Sequence, residues 1–86
     1  MKVILDRNFL KSAGLLPKEI KIKLAKLLVL LEANPYHSLL HTKKLAGELA
    51  GLLSFRITRD WRVIFYFEGS EIIRVLEVNN RKDIYR

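Results

Sequence analysis

Leu53-Ser54-Phe55-Arg56-Ile57-Thr58-Arg59-Asp60-Trp61-Arg62-Val63-Ile64-Phe65-Tyr66-Phe67 is the stretch that decides the fold. From Leu53 to Thr58 the side chains alternate. Leu53, Phe55 and Ile57 point one way; Ser54, Arg56 and Thr58 point the other, as in a strand with one buried face. Trp61 to Phe67 is strongly β-forming, with Trp61, Val63, Phe65 and Phe67 on a common face. If Thr58, Arg59 and Asp60 form the loop, Ile57 faces Trp61, Phe55 faces Val63 and Leu53 faces Phe65. Every pair is apolar, so this register defines the core side. It also sets Arg56 directly across from Arg62 on the other side. Like charges opposed across a ladder are unfavourable unless an anion relieves them. The Arg guanidinium is a planar fork that matches phosphate oxygens two at a time.

Downstream, Gly69-Ser70 reads as a two-residue hairpin turn and Ile72 to Val78 as a third strand. That turn sets Glu77 beside Arg62 and Arg74 on the core face. Upstream, Lys2 to Leu5 reads as a strand. Asp6 suits the N-cap of a short helix through Ala13, with Gly14 as its stop. Pro17 opens a second helix that Asn34-Pro35 ends. In that helix Ile20, Leu24, Leu27, Leu28 and Leu31 fall on one face. Ile22, Ala25 and Val29 form a stripe nearly opposite, expected to pack on the first helix because small domains bury most of what they can. Residues 34–51 read as a connection without a strong period. His37 and His41 lie there without nearby carboxylate or Cys ligands, so they read as solvated loop residues and not as a metal site. The order β-α-α-β-β-β predicts one α+β domain over residues 1–86. Two N-terminal helices pack on one face of a mainly antiparallel sheet.

Composition narrows the function. The 86 residues include 16 Lys or Arg and 9 Asp or Glu, a formal charge of +7, and no Cys. A disulfide scaffold and a thiolate zinc site are excluded, and neither a metal nor a cofactor is expected. The apolar run Leu27 to Leu31 is five residues long, far short of a membrane span. Met1-Lys2-Val3-Ile4-Leu5 reaches Asp6 at once, unlike a secretory signal, so a cytoplasmic protein is expected. The charge implies a polyanionic partner. Its kinds are segregated: eight of nine Lys precede residue 51 and six of seven Arg follow it. The Lys-rich half supplies diffuse attraction, and the Arg-rich half the localised site. The tail Asn79-Asn80-Arg81-Lys82-Asp83-Ile84-Tyr85-Arg86 returns to the level of Arg62, so Arg81 and Tyr85 can reach the face of Arg56 and Arg62. Arg, Lys and an aromatic together suit a phosphodiester and a stacked base.

Lys44-Leu45-Ala46-Gly47-Glu48-Leu49-Ala50-Gly51, then Ser54-Phe55-Arg56-Ile57, Asp60-Trp61-Arg62-Val63-Ile64-Phe65 and Asn80-Arg81-Lys82-Asp83-Ile84-Tyr85-Arg86 form an ordered set. Over residues 43–86 it resembles the RelE/ParE superfamily of type II toxin–antitoxin toxins. The resemblance implies a RelE-like fold and a metal-independent, ribosome-dependent endoribonuclease that cleaves mRNA and halts translation. It implies a small antitoxin, acidic or with an acidic segment, and operator DNA reached through the antitoxin complex. It also implies a role in plasmid stabilisation. By position, Arg62 matches the Arg that stabilises the phosphate. Arg81 matches the Arg after the last strand, and Tyr85 the C-terminal Tyr that orients the nucleotide. Arg56, Lys82, Asn80, Lys43 and Lys44 are the further RNA-contact candidates. Arg62 and Arg81 read as solvated charges whose removal leaves the fold intact. Asn80 stands where many members carry His, and Asn cannot shuttle a proton. The alternatives are a ParE-like toxin that binds DNA gyrase without chemistry, and a degenerate member that binds only antitoxin and operator DNA.

Overall fold

The computed structural model describes residues 1–80; Arg81, Lys82 and Tyr85 lie outside the described residues. The chain runs β1 (Lys2–Leu5), α1 (Arg7–Gly14), α2 (Lys18–Ala33), β2 (Lys43–Lys44), β3 (Leu53–Arg56), β4 (Trp61–Glu68) and β5 (Ile72–Asn80). Short 3-10 turns at Ser38–Leu40 and Gly47–Leu49 flank β2. The five strands make one sheet in the order β1-β5-β4-β3-β2. β1 joins β5 in parallel, and the other three pairings are antiparallel. The expected α+β architecture is therefore present. The two-residue strand β2, too short to carry a period, extends it.

One face of the sheet carries the core. Leu53, Phe55, Ile57, Val63, Phe65, Ile73, Val75 and Val78 are buried there against Phe9 of α1 and Leu24, Leu27 and Leu31 of α2. The β3–β4 register is the one read from alternation: Leu53 pairs with Phe65, Phe55 with Val63 and Arg56 with Arg62.

The β4–β5 register differs from the reading. Glu68 pairs with Ile72, so the hairpin loop is Gly69, Ser70 and Glu71, with Gly69 at φ +68. Gly adopts that left-handed geometry without a Cβ clash. Farther along, Phe65 pairs with Val75 but Ile64 pairs with Glu77, leaving Leu76 as the extra residue of a bulge. Two corrections follow. Arg62 faces Asn79, not Glu77, and Arg74 leaves the core face to lie opposite Tyr66. There Arg74 bonds Glu68 (Nε to Oε2, 2.7 Å) and reaches Asp6 (3.5 Å). The hydrogen bond and charge of Glu68 hold the Arg74 guanidinium above its ordinary pKa.

Asp6 precedes α1, but its side chain makes no capping bond and turns to Arg74 instead. Gly14 is the last helical residue, and right-handed Leu15, not a left-handed glycine, closes the turn. Pro17 stands immediately before α2 as its N-cap. The stripe on α2 does not pack on α1: Ile22 is 51% and Val29 69% exposed. α1 lies against β5 instead, for a reason that begins in the ladder. β1 covers β5 only over Ile72–Val75, and the Asp6 N–H closes that edge on the Val75 carbonyl at 3.0 Å. Beyond it, Ser12 of α1 takes over. Its Oγ donates to the Asn8 carbonyl (2.9 Å) and accepts the Val78 N–H (3.0 Å). Ser12→Ala strands that half-buried N–H and is expected to cost about 1–3 kcal/mol. Thermal unfolding of the variant checks this; an unchanged melting temperature would contradict it.

Candidate functional site

The face of the sheet away from the helices carries the charged residues. Because Arg56 pairs with Arg62, both guanidinium stems rise from adjacent strands on this side. Ser54 lies on the same side and pairs with Lys43 of β2. His41 completes the group from the connection. Leu40, fully buried, anchors the 3-10 turn before it. His41 then takes the left-handed conformation (φ 49, ψ 45), its N–H directed to the Ser38 carbonyl at 3.4 Å. The Thr42 hydroxyl donates to the Pro35 carbonyl and fixes the reversal into β2.

His41, Lys43, Ser54, Arg56 and Arg62 line a recess of about 40 Å³. None of the five is acidic. A water needs roughly 10–15 Å³ of such space, so the recess takes a few water-sized groups, the scale of phosphate oxygens, and excludes a nucleobase. Arg62 is 7% exposed and Ser54 3%, whereas Arg56 is exposed. Arg62 is thus a buried charge aimed at a polar recess, not the solvated one read from the sequence. Charge-assisted hydrogen bonds to an anion are strongest from such a partly desolvated position.

A second, wider groove of about 270 Å³ adjoins the recess through His41 and Arg56, which line both. Its floor includes Leu27, Leu39 and Ile57, and Lys23 and Arg59 add charge to its walls.

The other candidates are distributed as follows. Lys43 belongs to the recess, but Lys44 pairs with Leu53 and lines a separate groove beside Leu45 and Leu52. Asn80 pairs with Trp61, on the side of the sheet that the core residues share, while Asn79 stands across from Arg62. Arg81, Lys82 and Tyr85 fall outside the described residues. His41, read as a solvated loop residue, and Ser54 line the recess although neither was among the candidates read from the sequence. The signal for His41 was weak: His tolerates left-handed backbone better than most residues, and it stands two positions before Lys43. His37, by contrast, is structural, its Nδ1 accepting the Leu39 N–H at 3.1 Å. Among the described residues no group of three His, Cys, Asp or Glu could hold a metal ion. No described helix is long and apolar enough to cross a membrane.

No family model and no curated protein matches the chain. Solved structures do. A YoeB/ParE toxin from Agrobacterium tumefaciens superposes with a TM-score of 0.80 at 21% identity, over 94% of this chain and 99% of that one. YafQ from E. coli gives 0.80 at 20% identity, over 99% of this chain and 98% of that one. The RelE of an archaeal RelE–RelB complex from Pyrococcus horikoshii gives 0.77 at 25% identity, over 93% of each chain.

Proposed function

We propose that this chain, which has the RelE-like toxin fold, is the toxin of a type II toxin–antitoxin system and a ribosome-dependent mRNA endoribonuclease. One observation carries the reading: two Arg held across a ladder line a phosphate-sized recess that contains no acid. A phosphodiester bound there meets both guanidinium forks, whose geometry matches its oxygens. In the proposed reaction the RNA 2′-hydroxyl attacks the adjacent phosphate. Arg62 and Arg56 stabilise the charge that grows on the non-bridging oxygens. Lys43 adds positive potential at the same recess. Arg81 and Tyr85, by their match to the family pattern, contact the phosphate and orient the nucleotide, and Lys82 adds positive charge beside them. The protein works where ribosomes translate, in the cytoplasm.

The test uses purified ribosomes programmed with a defined mRNA, with cleavage mapped by primer extension. Cuts confined to the codon in the ribosomal A site are expected. In parallel, DNA gyrase supercoiling should be unaffected. Supercoiling inhibited with the mRNA intact would replace this reading with the gyrase one.

The partner is a small antitoxin with acidic character. The archaeal RelE–RelB complex and a YoeB–YefM toxin–antitoxin complex from Staphylococcus aureus are among the structures that share this fold, which supports an antitoxin partner. On this chain Ile22, Ala25 and Val29 leave an apolar stripe on α2 exposed, and Lys18, Lys21 and Lys26 flank it. An amphipathic acidic segment complements both features. Val29→Glu is expected to weaken antitoxin binding about tenfold or more by burying an uncompensated charge. Calorimetric titration measures it, and full affinity would move the docking surface elsewhere.

A further inference from the structure

We propose that His41 is the base that takes the proton from the attacking 2′-hydroxyl, and that the adjoining groove holds the nucleoside bearing it. The inference rests on the endoribonuclease reading and deepens it. Cleavage by internal attack needs a group that can accept a proton near neutral pH. Arg56 and Arg62 hold theirs too tightly, Ser54 is a hydroxyl, and Asn80 cannot carry one. The Lys43 side chain offers donors and no acceptor. Among the described residues lining the recess, His41 alone carries an imidazole, the side-chain type that can both accept and donate a proton through its ring nitrogens.

Its placement fits the role. His41 stands on the boundary between the phosphate-sized recess and the wider groove. The volumes divide the substrate: about 40 Å³ admits phosphate oxygens, and about 270 Å³ admits a nucleoside. A nucleoside seated on Leu27 and Leu39 with its 3′-phosphate between Arg56 and Arg62 presents its 2′-hydroxyl at that boundary. The charged residues that line the two cavities with His41 are all cationic: Lys43 on β2, Arg56 on β3, Arg62 on β4, Lys23 on α2 and Arg59 in the loop. They hold the substrate phosphodiester, a monoanion, beside the imidazole and favour the second negative charge that grows on it during attack.

The step balances. His41 takes the 2′-hydroxyl proton as the O2′–P bond forms and the P–O5′ bond breaks. The departing 5′-oxygen takes a proton from water. The products are a 2′,3′-cyclic phosphate and a 5′-hydroxyl, and the imidazolium returns its proton to solvent.

The backbone supplies the variants for the test. At φ 49 both Gly and Asn are tolerated without added strain, so His41→Gly and His41→Asn preserve the turn. Single-turnover cleavage on programmed ribosomes should fall about 100-fold in both. The wild-type rate should rise with pH across the imidazole range, and that rise should vanish in His41→Asn. Added imidazole should restore His41→Gly, which a merely structural role would not allow. Wild-type rates in both variants, or a fall that imidazole does not reverse with the pH profile intact, overturn the assignment. Wild-type protein that leaves the mRNA whole overturns the endoribonuclease reading itself, before either variant is compared.

Discussion

Arg62→Ala is expected to lower mRNA cleavage on programmed ribosomes about 100- to 1,000-fold and to relieve growth inhibition. The magnitude is that of removing one preorganised donor from a developing oxyanion. Arg62 is suited to such a contribution because it is 7% exposed and lies in β4, the central strand, across from Arg56. A flexible surface cation would reorganise at each turnover; a packed one does not. Burial also means that the substitution touches the fold, so activity is to be measured alongside a melting curve. Arg62→Lys separates the two effects. It keeps a charge and most of the packing but loses the two-pronged geometry, and it should fall between wild type and Arg62→Ala. Full toxicity in Arg62→Ala, with the protein folded, would remove the recess from the mechanism.

Phe65→Ala carries the largest expected stability loss. Phe65 is fully buried, its ring 6.0 Å from that of Phe55 and 5.8 Å, edge-on, from that of Phe67. Truncation to Ala loses the transfer free energy and leaves a cavity, about 3–5 kcal/mol. A domain of this size holds only about 5–15 kcal/mol in total. The melting temperature should therefore drop by more than about 10 °C. Because Phe65 sits next to the bulge, the register of β5 loses support with it. A shift of only a degree or two would mean that the core sits elsewhere.

The sequence was most readable where one period held. Leu53, Phe55, Ile57, Trp61, Val63 and Phe65 could satisfy a common face in only one register, and that register brought Arg56 to Arg62. The next hairpin was not readable in the same way. A three-residue loop at Gly69, Ser70 and Glu71 and a bulge at Leu76 each shift the phase by one, and neither leaves a period to count. The read register therefore put Arg74 inside and Glu77 beside Arg62, and the structure does neither. His41 was hidden for a related reason. Its neighbours form single turns and a two-residue strand, and only the long-range pairing of Lys43 with Ser54 brings it to the Arg pair. The stripe of Ile22 and Val29 was read as packed on α1 because small domains bury most of what they can. Ser12 draws that helix to the end of β5 instead.

The placement of β5 between β1 and β4 also governs when the protein can exist as such. Its nine residues, Ile72–Asn80, are the last of the five strands to be made, yet they alone join the first strand to the others. Until they leave the exit tunnel, β1 has no partner, Ser12 has no N–H to accept, and the inner face of β4 lacks Ile73, Val75 and Val78. Domains fold as units, and pairings distant in sequence are the slow ones. A nascent chain halted before residue 72 can assemble neither the sheet nor the recess behind it. The sheet therefore waits on β5, the strand that joins β1 to the rest.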